Sequence, residues 1–193
     1  MTVSLAKGGN ISLEKVAPGL KSIALGLGWD QKEKKGLFRT KKVSIDLDAS
    51  CLLFDDNKNL LDSIWFKQLK SRDGSVVHKG DDRTGGGQDG SPNEEINVHL
   101  KNISQNVKTL VFTVNSFTSD TFDGIPNAFC ILKNLDNNEE IARFNLSVEG
   151  GGHTGLVIAK LYIHNGEWKF KAIGEWGKGR TVDKLLPVII PCL

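Results

Sequence analysis

The chain has 193 residues, of which 39% are hydrophobic and 25% charged, and its net charge is +2. This length can bury a core, and we expect one domain over residues 1–193. Cys51, Cys130 and Cys192 form an odd, widely spaced set without a CxxC pair, which excludes a disulfide framework and indicates reduced thiols in a cytoplasmic protein. The charge balance gives no sign of a nucleic-acid partner, and none is expected.

Short strands dominate the predicted secondary structure. Apolar and polar residues alternate in many segments, which is typical of half-buried strands, and Asn165-Gly166 predicts a two-residue hairpin turn. Short helices are predicted near 101–105 and from Thr181 onward, where the apolar tail either docks on the fold or meets a partner. The pattern indicates a mainly β protein, a two-sheet β-sandwich with a few short helices. The predicted strands are 2–6, 10–16, 20–28, 43–54, 60–66, 75–79, 95–100, 108–116, 128–134, 140–146, 155–164 and 167–174.

A basic segment over residues 31–42 carries six lysines and arginines against Glu33. One interpretation is a solvated loop between two strands. The other is a patch for anionic lipid or an acidic partner, with Leu37-Phe38 as an apolar tip.

Two aspartates follow this segment, Asp46 and Asp48, in the sequence SIDLDA. On a strand they share a face, so the alternation predicts Ile45 and Leu47 toward the core and both acids outward. Neighbouring like charges need solvent or a cation, and both possibilities remain open for this pair alone.

The stretch 80–95, GDDRTGGGQDGSPNEE, combines five glycines with five carboxylates. Glycine lets backbone carbonyls turn inward, and carboxylates repel one another unless a cation lies between them. Calcium, which takes six to eight oxygen ligands, fits such a loop, whereas a flexible, solvated loop is the alternative. The spacing matches neither an EF-hand nor a phosphate-binding P-loop.

No catalytic motif is present in the sequence, and no catalytic residue is predicted. The four histidines lie far apart on different predicted strands, which favours structural roles. Cys51 and Cys130 fall in apolar strands and are interpreted as unreactive core thiols.

Several motifs together make the chain recognisable: GLGWD (26–30), SIDLDA (44–49), VVHKGDDRTGGG (76–87), EINVHL (95–100), FTVNSF (112–117), NAFC (127–130) and HTGLVIAKL (153–161). In this order they resemble the TerD tellurium-resistance family, and within it the TerZ branch. The resemblance covers nearly the whole chain. It implies a β-sandwich that binds two calcium ions in a cluster of loops, in a bacterial cytoplasmic stress protein associated with resistance to tellurite, phage and colicins and without known enzymatic activity.

The resemblance also implies a set of calcium ligands. Asp46 and Asp48 match the family's DLD aspartates, and Asp82 stands where the family has Asn in GDN-x-TG. The loop then departs from the family's short glycine and acid alternation, because it is two residues longer and has Gly86 and Gln88 where acids are common. For one or two ions, the predicted ligands are Asp46, Asp48, Asp81, Asp82, Thr84, Gly85, Gln88, Asp89, Glu94 and Glu95, with Asn115 and Ser116 as additional candidates.

The function expected from this sequence is that of a calcium-binding, non-enzymatic stress-response protein of the tellurite-resistance system, acting as an ion-gated interaction module. Its partners would be other tellurite-operon proteins, at the inner membrane surface. The alternative is a calcium-dependent β-sandwich that binds membranes or carbohydrate. A hydrolase that uses a metal-bound water would need a positioned base, which the sequence does not show.

Overall fold

Two large β-sheets form the body of the protein. The structure is a computed structural model that describes residues 3–4, 8–35, 39–86, 90–146 and 151–193. Its strands are β1 (Val3–Ser4), β2 (Asn10–Ser12), β3 (Ser22–Gly28), β4 (Lys32–Lys35), β5 (Thr40–Val43), β6 (Leu47–Phe54), β7 (Leu60–Ile64), β8 (Val76–His78), β9 (Glu94–His99), β10 (Thr109–Ser116), β11 (Phe129–Asn134), β12 (Glu140–Asn145), β13 (Gly155–His164) and β14 (Glu167–Gly177).

The helical segments are short. They are α1 (Leu13–Val16), α2 (Leu186–Ile189) and single 3₁₀ turns at Leu100–Asn102, Phe122–Gly124, Val182–Leu185 and Ile190–Cys192. In the part of the chain that the structure describes, no helix is long and apolar enough to cross a membrane.

Each large sheet has six strands, in the orders β1-β12-β11-β3-β9-β8 and β2-β14-β13-β10-β6-β7. One hydrophobic core contains side chains from both, for example Leu25 and Ile96 from the first sheet and Phe112 and Leu161 from the second. The predicted two-sheet sandwich is therefore confirmed. The Asn165-Gly166 hairpin is confirmed as well, because His164 pairs with Glu167 and both turn residues have the positive φ that this tight turn requires.

The apolar tail docks on the outer face of the second sheet. Val182, Leu185 and Ile189 pack with Leu52 and Val111 in a second hydrophobic cluster. This settles the choice between docking and an external partner for these side chains. It also means that β6 is buried on both of its faces.

The structure differs from the predicted elements at three places up to β6. The strand expected over 43–54 begins at Leu47, so Asp46 lies just before it rather than in it. The strand expected over 10–16 ends at Ser12, and α1 follows because the chain turns there to bury Leu13 and expose the next residues. The basic segment, expected as a loop, contains β4 and β5, which pair only with each other in a separate two-stranded sheet. Residues 36–38, which include the predicted apolar tip, lie outside the described residues.

One end of the sandwich gathers the described residues among those predicted to bind an ion. The register pairs Leu27 with Glu94 between β3 and β9, and Asp48 with Asn115 between β6 and β10. The opposite end of the first sheet is marked by the pair of Ser22 with His99. The loop after β8 returns across the first of these ends, where Ile45 N donates to Thr84 O.

Candidate metal centre

Three aspartates from two separate segments converge at this end. Asp46 lies just before β6, Asp48 lies in β6, and Asp81 lies in the loop after β8. Each offers one carboxylate oxygen, and these oxygens lie within 4.8 Å of one another. The same residues line a cavity whose remaining walls are Phe66, Arg83 and Phe117.

The strand alternation explains how the aspartates are directed. Ile45 and Leu47 are buried in the main core, as predicted. Asp48 points to the outer face of the sheet, as the alternation predicts, yet only 5% of it is exposed, so the solvated alternative does not hold for this residue. The reason is that the segment after β14 crosses this face, where Asn115 Nδ2 donates to Gly179 O at 2.9 Å.

Several oxygens in this cluster are buried without a hydrogen bond. Within the described residues, Asp46 Oδ1, Asp48 Oδ2 and Asn115 Oδ1 have no partner. Asn115 is the direct cross-strand neighbour of Asp48, so their side chains share one face. Leaving buried polar atoms unpaired costs free energy, and a cation that accepts these lone pairs would remove the cost. The donor set therefore fits a hard, oxygen-binding cation.

The aspartate pKa values reflect the same crowding. Burial, together with the nearby charges of Glu94, Asp46 and Asp81, raises the pKa of Asp48 to about 8. Burial and the charge of Asp81 also raise the pKa of Asp46, while the Arg83 guanidinium partly offsets them. Without a bound cation, the folded protein resists full ionisation of this cluster.

Asp82 and Thr84, predicted as ligands, are joined by hydrogen bonds that organise the loop. Asp82 Oδ1 accepts hydrogen bonds from Thr84 N, Thr84 Oγ1 and Gly85 N, and its Oδ2 accepts one from Asn93 Nδ2 at 2.8 Å. Burial would raise the pKa of Asp82, but these hydrogen bonds outweigh it and lower the pKa. Asp82 lies outside the three-aspartate cluster, and it and Thr84 stay predicted ligands.

Trp29 holds the glycine-rich loop in place, and the sequence analysis did not single it out as a site residue. Its indole Nε1 donates to Ile45 O at 2.9 Å, and its carbonyl accepts from Gly86 N at 2.8 Å. Gly85 lies against the ring, with a φ of +73°, and a Cβ there would come within 2.4 Å of Trp29 Nε1. The available signal was the GLGWD motif, a tryptophan at a strand end in a chain with a glycine-rich loop.

Replacing Gly85 with alanine is therefore expected to destabilise the protein by about 1–3 kcal/mol, because the left-handed backbone and the contact with Trp29 both oppose a side chain. Thermal unfolding measures the effect. Gly90→Ala is the matched control, because Gly90 also has a positive φ of +71° but open space around it. Equal losses in the two variants would contradict the role of Trp29.

Glu94 lies behind the cluster and connects its two segments. It is 2% exposed. Its Oε2 accepts from Ala49 N at 2.8 Å and lies 3.4 Å from His78 Nε2, while its Oε1 accepts from Asp82 N at 3.1 Å. Burial raises the pKa of Glu94, and the hydrogen bonds from His78 and the two amides oppose that shift. His78 thus has a structural contact, as expected for the histidines.

The remaining predicted ligands are distributed as follows. Glu95 projects from the face of β9 opposite to Glu94, because Glu94 shares its face with the buried Ile96 and Val98. Ser116 projects from the face of β10 opposite to Asn115 by the same alternation. Gln88 and Asp89 lie outside the described residues and stay predictions.

Comparison with known proteins places the chain among bacterial resistance and stress proteins. The TerD domain family model matches residues 1–186. A tellurium resistance protein TerZ of Serratia marcescens is 45% identical over 186 residues, which cover 95% of this chain and 94% of that protein. General stress protein 16U of Bacillus subtilis is 37% identical, and the match covers 93% of each chain.

A solved structure shares the fold. The crystal structure of a homologue of telluride resistance protein (TerD) from Streptomyces coelicolor superposes with a TM-score of 0.70. It covers 85% of this chain and 94% of that one, at 20% sequence identity. This likeness supports the sandwich architecture independently of the sequence matches.

Proposed function

The chain belongs to the TerD family, and on that premise we propose that it is a calcium-binding, non-enzymatic protein of the bacterial tellurite and stress response. In this proposal the ion joins the Asp46–Asp48 segment to the Asp81 loop and so creates a surface for other proteins. Relatives named as tellurium resistance proteins support the cellular setting.

The observation that carries the proposal is the set of buried oxygens without partners at Asp46, Asp48 and Asn115. Together with Asp81 they supply carboxylate and amide oxygens, the ligands that calcium prefers. Within the described residues, no histidine or cysteine joins the cluster, which argues against zinc and copper. Bidentate carboxylates, backbone carbonyls or water would complete the six to eight positions around the ion.

The described geometry supports one ion at this cluster. Asp82 lies outside this cluster, and its carboxylate accepts hydrogen bonds from Thr84, Gly85 and Asn93. In the proposal, Asp82 therefore shapes the loop and Asp81 binds the ion.

A non-enzymatic role agrees with the chemistry of the site. Ligation would occupy the carboxylates of the cluster, which leaves none of them as a base for a metal-bound water. Direct reaction of tellurite with thiols is disfavoured for Cys51 and Cys130, because both are buried and burial raises the pKa of each thiol.

Calcium titration tests the proposal. A ligand that binds only the folded state at a hundredfold excess over its Kd adds about 2.7 kcal/mol to stability, so calcium should raise Tm by several degrees. Calorimetry should show saturable heat, and backbone NMR shifts should concentrate at Asp46, Asp48, Asp81 and Asn115. Magnesium at equal concentration is the control ion. The proposal is contradicted if millimolar calcium produces no heat and no Tm shift.

A further inference from the structure

The basic segment forms a projecting arm, the β4–β5 hairpin. Its two strands pair with each other and with neither large sheet. From Glu33 to Lys35 and from Arg39 to Lys42, every described residue is exposed. Two-stranded hairpins have little stability of their own in water, so this arm depends on its attachment to the sandwich.

Both attachments of the arm lie at the metal centre. The arm leaves the sandwich just after Trp29, whose carbonyl binds the glycine-rich loop, and it returns just before Ile45 and Asp46. A third contact is the ion pair between Lys32 Nζ and Asp120 Oδ1 at 2.7 Å. These contacts hold the basic arm and the aspartate cluster at the same end of the molecule.

The charges of the arm work against its own stability. Lys34 lies directly opposite Lys41, a like-charge cross-strand pair that destabilises a hairpin. Among the four described cross-strand pairs of the arm, Glu33 with Lys42 is the one of opposite charge. Among the described residues, Lys32 is the one lysine of the arm in an ion pair. A folded arm that keeps its other cations exposed on both faces is complementary to an extended anionic surface.

We propose that the β4–β5 hairpin docks the protein on an anionic phospholipid surface. Lysines close to such a surface attract its phosphates strongly, and lateral movement of the lipids lets headgroups gather on both faces of the arm. A rigid polyanion such as duplex DNA would also meet the aspartate cluster, and it cannot rearrange its phosphates away from it.

The metal centre adds a regulatory step, which rests on the proposed function. Without an ion, the acidic cluster lies at the same end as the arm, with Asp81 exposed, and disfavours the approach of an anionic membrane. Calcium would neutralise the cluster, and headgroup oxygens could fill the remaining coordination positions of the ion. Membrane affinity should therefore rise with calcium, while the contribution of the arm depends only on its lysines.

Vesicle co-sedimentation tests the arm. Wild-type protein should bind vesicles that contain phosphatidylglycerol and leave pure phosphatidylcholine vesicles unbound. The double variant Lys34→Gln, Lys41→Gln should lose about tenfold or more in affinity, since each lysine near the surface contributes substantially. Its Tm should not fall below that of wild type, because the change removes a like-charge pair, and its calcium-induced Tm shift should equal that of wild type. The matched control is Lys15→Gln, Lys101→Gln, which removes two exposed lysines near the opposite end and should bind as wild type does.

The outcomes separate the arm from the metal centre. One result is that vesicle binding requires Lys34 and Lys41 although calcium does not shift the Tm. It would support docking by the arm and contradict the proposed calcium-binding function. If the wild-type protein does not bind anionic vesicles in the presence of calcium, the proposal that the arm docks on a membrane is wrong. Equal losses of vesicle affinity in the variant and its control would also contradict the docking proposal, and so would equally tight binding to duplex DNA. Both results indicate unspecific charge attraction.

Discussion

Replacing Asp48 with asparagine is expected to abolish calcium binding and to stabilise the calcium-free protein. Asp48 is 5% exposed and its Oδ2 has no hydrogen-bond partner among the described residues, so it is the most buried carboxylate of the three-aspartate cluster. Asparagine keeps the shape and one oxygen but removes the charge. We expect at least a hundredfold loss of calcium affinity by calorimetry, together with a higher Tm in the presence of chelator.

The pH dependence of this variant follows from the raised pKa of Asp48. Its pKa is about 8 in the folded protein and 3.8 in the reference state, so folding favours the protonated form. The stability from the protonated carboxyl is fully present below pH 4 and is lost as the pH rises through 8. The advantage of Asp48→Asn should therefore grow between pH 4 and 8 and then level off. We expect about 2 kcal/mol at neutral pH, allowing for water that screens the site.

Asp56→Asn is the control for this experiment, because Asp56 is an exposed acid in the turn after β6. It should leave both calcium binding and the pH profile unchanged. An Asp48→Asn protein that still binds calcium tightly would remove Asp48 from the site. If the calcium-free variant is no more stable than calcium-free wild type at pH 8, the ionised Asp48 carboxylate does not destabilise the folded protein.

The sequence predicted the architecture well because its signals were local. Alternation placed Ile45 and Leu47 in the core, and Asn165-Gly166 has the backbone preferences of a tight hairpin turn. The burial of Asp48 depends on a tail more than a hundred residues later in the chain, and no local pattern reports such a contact. The β4–β5 hairpin was missed because the charges of Lys34 and Lys41 suggest a loop, although the backbone still pairs.

The candidate site was predicted as a composition rather than as a geometry. Neighbouring acids such as Asp81 and Asp82, or Glu94 and Glu95, look equivalent in sequence. The fold separates them, because Asp82 bonds to its own loop and Glu95 projects from the opposite face of β9 to Glu94. Only the pairing of β6 with β10 identifies Asn115, and not Ser116, as the neighbour of Asp48.

Replacing Glu94 with glutamine is expected to weaken calcium binding about 10- to 100-fold without changing the number of ions bound. The two oxygens of Glu94 accept hydrogen bonds from the backbone amides of Ala49 and Asp82. These two residues directly follow the proposed ligands Asp48 and Asp81. Glutamine has only one acceptor oxygen, so one amide loses its partner and one ligand segment is released. Outer partners of metal ligands affect affinity on this scale, and a buried unpaired amide costs about 1–3 kcal/mol of stability.

Terbium, which takes calcium sites, distinguishes positioning from direct ligation. At saturation, luminescence lifetimes in H₂O and D₂O count the waters on the ion. If Glu94 only positions Asp48 and Asp81, this number is the same in Glu94→Gln as in wild type, although more terbium is needed. If Glu94 binds the ion directly, its loss adds water. Glu95→Gln, from the opposite face of the same strand, should change neither affinity nor water count, and a loss there would place the ion on the other side of β9.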